Sequence, residues 1–289
     1  MQIEEKIPIY SGKPEDFHWA GFGSGSGTNL RECAKVITPS LIFSDRPSAS
    51  LFDLEELSLG RGVMKESING YKSCGSWKKA QGNSQLKSEY QERSLEFNQA
   101  IVDLLHKYEE IQEAPFDLVV LGGYMRLVME PLLEAYKDKI INVHPADLSI
   151  VKQHEKVVDG IPEFYRVFVG DNAVYDVVKA GETSTKSSVI MVDKGVDHGE
   201  ILTQGPEVEV WHEFLQGTDA EREECLREYA DAHQSMQKVR SDWPALTGAL
   251  EMIANGRIAL GTENIHHNEW RGVYVDDKVM PYEGFQRAA

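Results

Sequence analysis

The chain reads as an α/β protein on a doubly wound, mostly parallel, Rossmann-like sheet, with an added β-pair and C-terminal helices. Three observations predict this class. Strand-length apolar runs alternate with helical patterns through the first half of the 289 residues, the pattern of parallel sheets with crossover helices. A glycine-rich turn, Gly23-Ser24-Gly25-Ser26-Gly27, joins the first run to the first helical segment. The run Phe116 to Leu121, interrupted only by Asp117, matches a central strand buried on both faces.

In chain order, Phe17 to Phe22 reads as the first strand, and the helix after the glycine turn starts at Thr28 or Asn29 and runs through Leu30, Cys33 and Val36. Leu41-Ile42-Phe43 is the next strand, ending at Ser44-Asp45, and helix signals return from Leu51 to Leu57. Gly60 to Asn83, rich in Gly, Ser and Lys, is expected to be a loop. Tyr90, Leu95, Phe97, Ile101, Leu104, Leu105 and Tyr108 then keep roughly helical spacing. After Gly122-Gly123 a helix is expected from Met125 to Tyr136, then a strand ending in Asn142-Val143-His144-Pro145, then a long loop from Val151 to Val169. A helix at Ala173 to Lys179 precedes the β-pair Ser187 to Val192 and Ile201 to Val210. Ala220 to His233 and Pro244 to Ala254 are helical, the latter stopped by Asn255-Gly256. One domain is expected over 1–289, with 1–16 as an N-terminal extension and 211–289 as helices and a tail in which Trp270, Tyr274 and Tyr282 pack.

A formal charge of −17, with 47 acidic against 30 basic residues, argues against a non-specific nucleic-acid surface. Three widely spaced cysteines without a Cys-x-x-Cys pattern suit reduced thiols, not a disulfide framework or a zinc knuckle. No stretch has the roughly 20 apolar residues a bilayer span requires, and Met1 to Asp16 lacks a signal peptide's apolar core. The expectation is a soluble, cytoplasmic protein with no membrane and no nucleic-acid partner.

The chemistry-bearing residues sit at strand ends. In an extended strand Asn142 and His144 point to one side and Ile141 and Val143 to the other. Pro145 cannot donate to a ladder and ends the strand there, at the edge where open α/β sheets bind ligands. An amide donor beside an imidazole suits stabilising a developing oxyanion and moving a proton. The glycine turn lets backbone N–H groups approach an anion at a helix N-terminus. Its spacing is not the Gly-x-Gly-x-x-Gly of dinucleotide folds. Asp45, ending the second strand, nevertheless keeps a nicotinamide reading open, as does a plain Gly-Ser turn with no ligand. Asp193-Lys194-Gly195-Val196-Asp197-His198-Gly199, between two apolar strands, is either a solvated hairpin or the source of a carboxylate for His144. The remaining histidines lack metal-ligand spacing, so no metal is expected, and no Gly-x-Ser-x-Gly elbow is present.

Ser24-Gly25-Ser26-Gly27-Thr28-Asn29-Leu30, Leu121-Gly122-Gly123-Tyr124-Met125-Arg126-Leu127, Asn142-Val143-His144-Pro145 and Asp193 to Gly199 occur in that order. Together they resemble the folate-dependent formyltransferases, and the first loop is nearest to the purine-pathway branch. Ala254 to Ile258 and Val273 to Asp277 resemble that branch's closing segments. The resemblance implies a formyltransferase-like fold and transfer of a formyl group from 10-formyltetrahydrofolate to an amine, glycinamide ribonucleotide in purine biosynthesis. It implies Asn142, His144 and Asp197 as catalytic residues, and Gly25, Ser26, Gly27, Thr28 and Asn29 as the cradle for the substrate phosphate. It implies Met125, Arg126, Leu127, Val128, Asp193 and Gly195 as the folate pocket, matches Ser188 to a strand position, and leaves a homodimer open. Where the family continues Ser-Leu-Leu-Pro after Asn-x-His-Pro, this chain reads Ala146-Asp147-Leu148-Ser149-Ile150 and a longer segment through Val169. The rival readings are a formyltransferase for another amine such as an amino sugar, a formyltetrahydrofolate hydrolase, an NAD(P)-dependent oxidoreductase and a non-catalytic binding module.

Overall fold

The computed structural model describes residues 5–57, 62–158, 161–212 and 219–287. They form two compact units, one of residues 13–142 and one of residues 1–12 with 143–289. The first strand, β1 (Lys6–Pro8), belongs to the latter.

Residues 13–142 carry β2 (Trp19–Phe22), α1 (Thr28–Val36), β3 (Leu41–Ser44), β4 (Met64–Ser67), α2 (Gly70–Cys74), α3 (Trp77–Ala80), α4 (Ser84–Gln112), β5 (Leu118–Leu121), α5 (Leu132–Ala135) and the start of β6 (Ile140–His144). The strands pair in parallel in the order β6-β5-β2-β3-β4. That is the doubly wound arrangement, with its switch of direction between β2 and β5. β2, β3 and β5 are buried at every position, as strands covered on both faces must be.

Three expectations in this unit are corrected. The stretch after Gly60 holds β4, paired in parallel with β3, and two short helices; Gly60 and Arg61 lie outside the described residues. Its inward residues are few and small, Val63, Cys74 and Ala80 among them, so no apolar period marks it. The helix expected at Met125 to Tyr136 shrinks to Leu132–Ala135. Asn98 on α4 engages the backbone there, donating to the Leu127 carbonyl at 3.1 Å and accepting from the Met129 N–H at 3.1 Å. These are groups a helix would have bonded internally, and Pro131 removes a further donor. In place of the helix expected from Leu51 to Leu57 are two 3-10 turns, Ser50–Asp53 and Glu55–Leu57. The long helix begins at Ser84 because Asn83 caps it, accepting from the Leu86 N–H at 3.0 Å. Its buried face includes Tyr90, Phe97, Ile101, Leu105 and Tyr108, whereas Leu95 faces outward.

The other unit continues through β7 (Val151–Val158), β8 (Ile161–Arg166), α6 (Ala173–Ala180), β9 (Ser184–Thr185), β10 (Ser188–Met191), β11 (Ile201–Gln204) and β12 (Val208–Glu209). It ends with α7 (Asp219–Gln237), a π-helical turn (Lys238–Asp242), α8 (Trp243–Ala254), β13 (Ile258–His266), β14 (Trp270–Val275), β15 (Lys278–Val279) and β16 (Phe285–Gln286). The predicted β-pair is β10 against β11, antiparallel with a bulge between Val189 and Ile190. α6 buries Ala173, Val174, Val177 and Val178, an apolar stripe of helical period.

Two further expectations are corrected. The loop predicted at Val151 to Val169 is largely an antiparallel hairpin, β7 with β8. The C-terminal tail is a sheet in the order β1-β13-β14-β15, and the expected N-terminal extension supplies its first strand, with Ile7 opposite Leu260. A two-residue turn joins β14 to β15 with positive φ at Asp276 and Asp277, the conformation that suits a right-twisted hairpin. Among the described residues no helix is long and apolar enough to cross a membrane.

Candidate active site

β6 ends at His144, where Pro145 removes the next ladder donor. Val143 is 7 % exposed and packs in the core. Asn142 is half-buried, and His144 is buried at 4 % exposure. Two residues apart on one strand, the amide and the ring share a side. Buried Ser188 of β10 accepts from the Leu148 N–H at 3.1 Å and donates to the Ala146 carbonyl at 2.9 Å. Those bonds fix the backbone just past the strand end.

The ring of His144 donates from Nε2 to the Phe168 carbonyl at 2.8 Å, and its Nδ1 lies 3.4 Å from Asp197 Oδ2. Asp197 has a left-handed backbone, φ 49, which aspartate tolerates better than most residues. Its Oδ2 accepts from the Gly170 N–H at 2.8 Å, and its main-chain carbonyl accepts from Arg166 Nη1 at 2.6 Å. Ring and carboxylate, 53 positions apart in the chain, thus meet inside one unit.

The same turn holds a second pair. Asp193 Oδ1 accepts from the Gly195 N–H at 2.8 Å, and its Oδ2 meets His198 Nδ1 at 2.6 Å. His198 Nε2 reaches Glu269 Oε1 at 3.0 Å. The hydrogen bond from Asp193 raises the His198 pKa against the opposing effect of burial, and Glu269 adds to the rise. Sequence reasoning missed Glu269 and Arg166, since both come from elements expected to be tail or loop.

In residues 13–142 the glycine turn follows β2 and Gly122-Gly123 follows β5, either side of the switch of direction. Gly27 precedes α1 with φ 66, and a Cβ there would stand 2.4 Å from Leu51 Cβ, so the position requires glycine. Gly25 and Ser26 are exposed, Thr28 is half-buried and Asn29 buried. The turn is tied to the segment after β5: the Ser24 N–H donates to the Gly123 carbonyl at 3.1 Å, and Ser24 Oγ accepts from the Met125 N–H at 2.9 Å.

Of the expected folate residues, Met125 is 57 % exposed, and Leu127 and Val128 are half-buried. Arg126 turns inward: Nε donates to Asp45 Oδ2 at 2.9 Å and Nη1 to the Gly75 carbonyl at 2.8 Å. Asp193 is half-buried and Gly195 exposed, on the turn that carries Asp197. Asp45, the carboxylate on which a nicotinamide reading relied, is 1 % exposed and held by Arg126 and by Ser24 Oγ. A ribose-binding carboxylate has to be reachable, and this one is engaged. Among the described residues no group of three His, Cys, Asp or Glu side chains is arranged to hold a metal ion.

One unit thus brings a buried imidazole and a carboxylate together past a strand end, and the other carries a glycine turn at a sheet's switch of direction. The formyl transferase family profile matches residues 75–222. The chain belongs to the formyl transferase family. It is 34 % identical over 113 residues to a phosphoribosylglycinamide formyltransferase of Bacillus subtilis, covering 39 % of this chain and 46 % of that protein. It is 31 % identical over 156 residues to the trifunctional purine biosynthetic protein adenosine-3 of Bos taurus, covering 54 % of this chain and 13 % of the relative. The aligned stretch thus spans less than half the length of these curated relatives. A solved phosphoribosylglycinamide formyltransferase of Coxiella burnetii superimposes with a TM-score of 0.56 over 93 % of this chain and 98 % of that one. At 19 % identity the superposition bears on the fold, which is the α/β formyltransferase architecture with a mostly parallel sheet.

Proposed function

We infer that this protein transfers a formyl group from 10-formyltetrahydrofolate to the amine of glycinamide ribonucleotide, a step of purine biosynthesis. The observation that carries the reading is the approach of Asp197 to the buried ring of His144, 3.4 Å apart, two residues beyond Asn142. The folate brings the carbonyl carbon that the acceptor amine attacks. As that carbonyl oxygen gains charge, the Asn142 amide donates to it and the ring of His144 offsets the charge. Asp197 holds the ring and, with it, passes the proton lost by the amine toward the nitrogen that departs with the folate. A 3.4 Å contact is longer than a formed hydrogen bond, and such contacts commonly tighten only when substrate is bound.

The turn from Gly25 to Asn29 holds the acceptor's phosphate through backbone N–H groups at the start of α1. Exposed Met125, with Leu127, Val128, Asp193 and Gly195, contacts the folate. Arg126, engaged with Asp45 and Gly75, shapes that wall from within. Three free cysteines agree with a reducing compartment such as the cytoplasm.

The test incubates the protein with a 10-formyl folate analogue and a panel of amines that includes glycinamide ribonucleotide and an amino sugar nucleotide, following loss of the formyl group by absorbance. The expected result is turnover that depends on the ribonucleotide. Turnover with the sugar alone would reassign the acceptor, and formyl release to water with no amine would make the protein a hydrolase.

A further inference from the structure

The segment from Arg166 to Gly170 touches the candidate catalytic pair at three points. Gly170 donates to the Asp197 carboxylate, Phe168 accepts from the His144 ring, and Arg166 donates to the main-chain carbonyl of Asp197. Two of these contacts are backbone groups that any sequence supplies. The third depends on one side chain.

Arg166 ends β8 and is buried at 6 % exposure. Its Nε donates to the Tyr282 hydroxyl at 3.0 Å. Its guanidinium carbon lies 5.0 Å from the centre of the Trp270 ring and 5.6 Å from that of Tyr282, within cation–π range of both. Nη2 is buried without a hydrogen-bond partner. A buried cation with an unused donor is a costly way to fill space, and an apolar side chain would fill it more cheaply. What the guanidinium provides is directional: a donor aimed at the carbonyl of a residue held at φ 49. The hairpin that delivers Arg166 stands where the chain departs from the Ser-Leu-Leu-Pro continuation of the resembling family.

We propose that Arg166 is a positioning residue, holding the left-handed peptide of Asp197 so that its carboxylate meets the ring of His144. This rests on the reading of Asp197 as a catalytic carboxylate. The two aromatic rings and the Tyr282 hydroxyl fix the plane of the guanidinium, and Gly170 fixes the other end of the aspartate. Lysine would keep the charge but lose the rigid fork that bonds in two directions at once.

The experiment measures kcat and KM for both substrates in the full-length protein carrying Arg166→Lys, Asp197→Asn, and the two together. A misplaced carboxylate lowers kcat by about 10- to 100-fold in Arg166→Lys, with each KM nearly unchanged. In the Asp197→Asn background the same change adds less than about a factor of two, since residues acting through one another are not additive. Turnover of Arg166→Lys equal to wild type, or losses that multiply in the double variant, would overturn the proposal. If Arg166→Lys yields no folded protein, Tyr282→Phe removes only the Nε acceptor. It should then lower kcat several-fold in the wild-type background and leave Asp197→Asn unaffected; an equal loss in both backgrounds, or none, overturns the proposal. Full turnover in Asp197→Asn alone sinks the reading beneath it, whereas a dead Asp197→Asn beside a normal Arg166→Lys sinks this inference only.

Discussion

Two aspartate–histidine pairs arise from one turn, and they differ in opposite ways from what contact distance alone suggests. Asp193 and His198 meet at 2.6 Å with side chains 39 % and 35 % exposed, and Glu269 closes the other ring nitrogen at 3.0 Å. Asp197 and His144 stand 3.4 Å apart with side chains 12 % and 5 % exposed. The tighter pair is a closed network at the surface, where water screens each charge. The looser pair is buried, so its interaction is screened less, and its geometry leaves slack for a reacting group. Shortness marks a satisfied contact, while burial with slack marks one that chemistry can use.

The largest expected effect falls on the buried pair. Asp197→Asn should lower kcat by about 10²–10⁴-fold, the usual range for a group that handles a proton, with folding unchanged by circular dichroism. Asp193→Asn on the same turn, at a residue assigned to folate contact, should act on the folate KM and leave kcat within a few-fold; equal losses in kcat would erase the distinction. Next, Asn142→Ala should cost about 10²–10³ in turnover, roughly 2.7–4 kcal/mol, as loss of one oxyanion donor does. Near-normal turnover in that variant would remove the amide from the mechanism.

A smaller change tests the other unit. Gly27→Ala places a Cβ 2.4 Å from that of Leu51 at φ 66, and overpacking with backbone strain should cost about 1–3 kcal/mol of stability. Denaturant midpoints read this directly, and an unshifted midpoint would show that the turn can relax. The smallest effect belongs to the surface pair. The hydrogen bond from Asp193 lifts the His198 pKa above its ordinary 6.5. A raised histidine contributes stability that is fully present below the unfolded value and is lost as pH climbs through the folded one. The melting temperature should therefore fall above about pH 6.5 by less than about 4 °C, given the ~0.2–1 kcal/mol of an exposed pair. His198→Gln should flatten that slope, and a variant that kept it would place the titration elsewhere.

Central strands were legible because burial on both faces leaves uninterrupted runs such as Leu118 to Leu121. The ordered motifs likewise drew attention to His144 and to the turn bearing Asp197. What escaped was structure whose cause lies outside its own segment. Met125 to Met129 has helical composition, but Asn98, some thirty residues earlier in the chain, takes its backbone groups. The sequence did carry a local cue for the β7–β8 hairpin: Asp159-Gly160, between Val157-Val158 and Ile161, is a two-residue turn signal. Asp276-Asp277 is a similar cue for β14 and β15. Arg166 and Glu269 carried none, because each acquires its meaning from a partner far along the chain.

One pairing bears on how this molecule is made. β1 leaves the ribosome long before its antiparallel mate, Ala259 to Gly261, so the strand must wait for all the chain between them before it can pair. Until then β13 would present bare N–H and C=O groups along one margin, a template for another chain. Clipping the protein ahead of Ile9 would recreate that margin for good, and fusions at the amino end need slack before Lys6 to leave the pairing undisturbed.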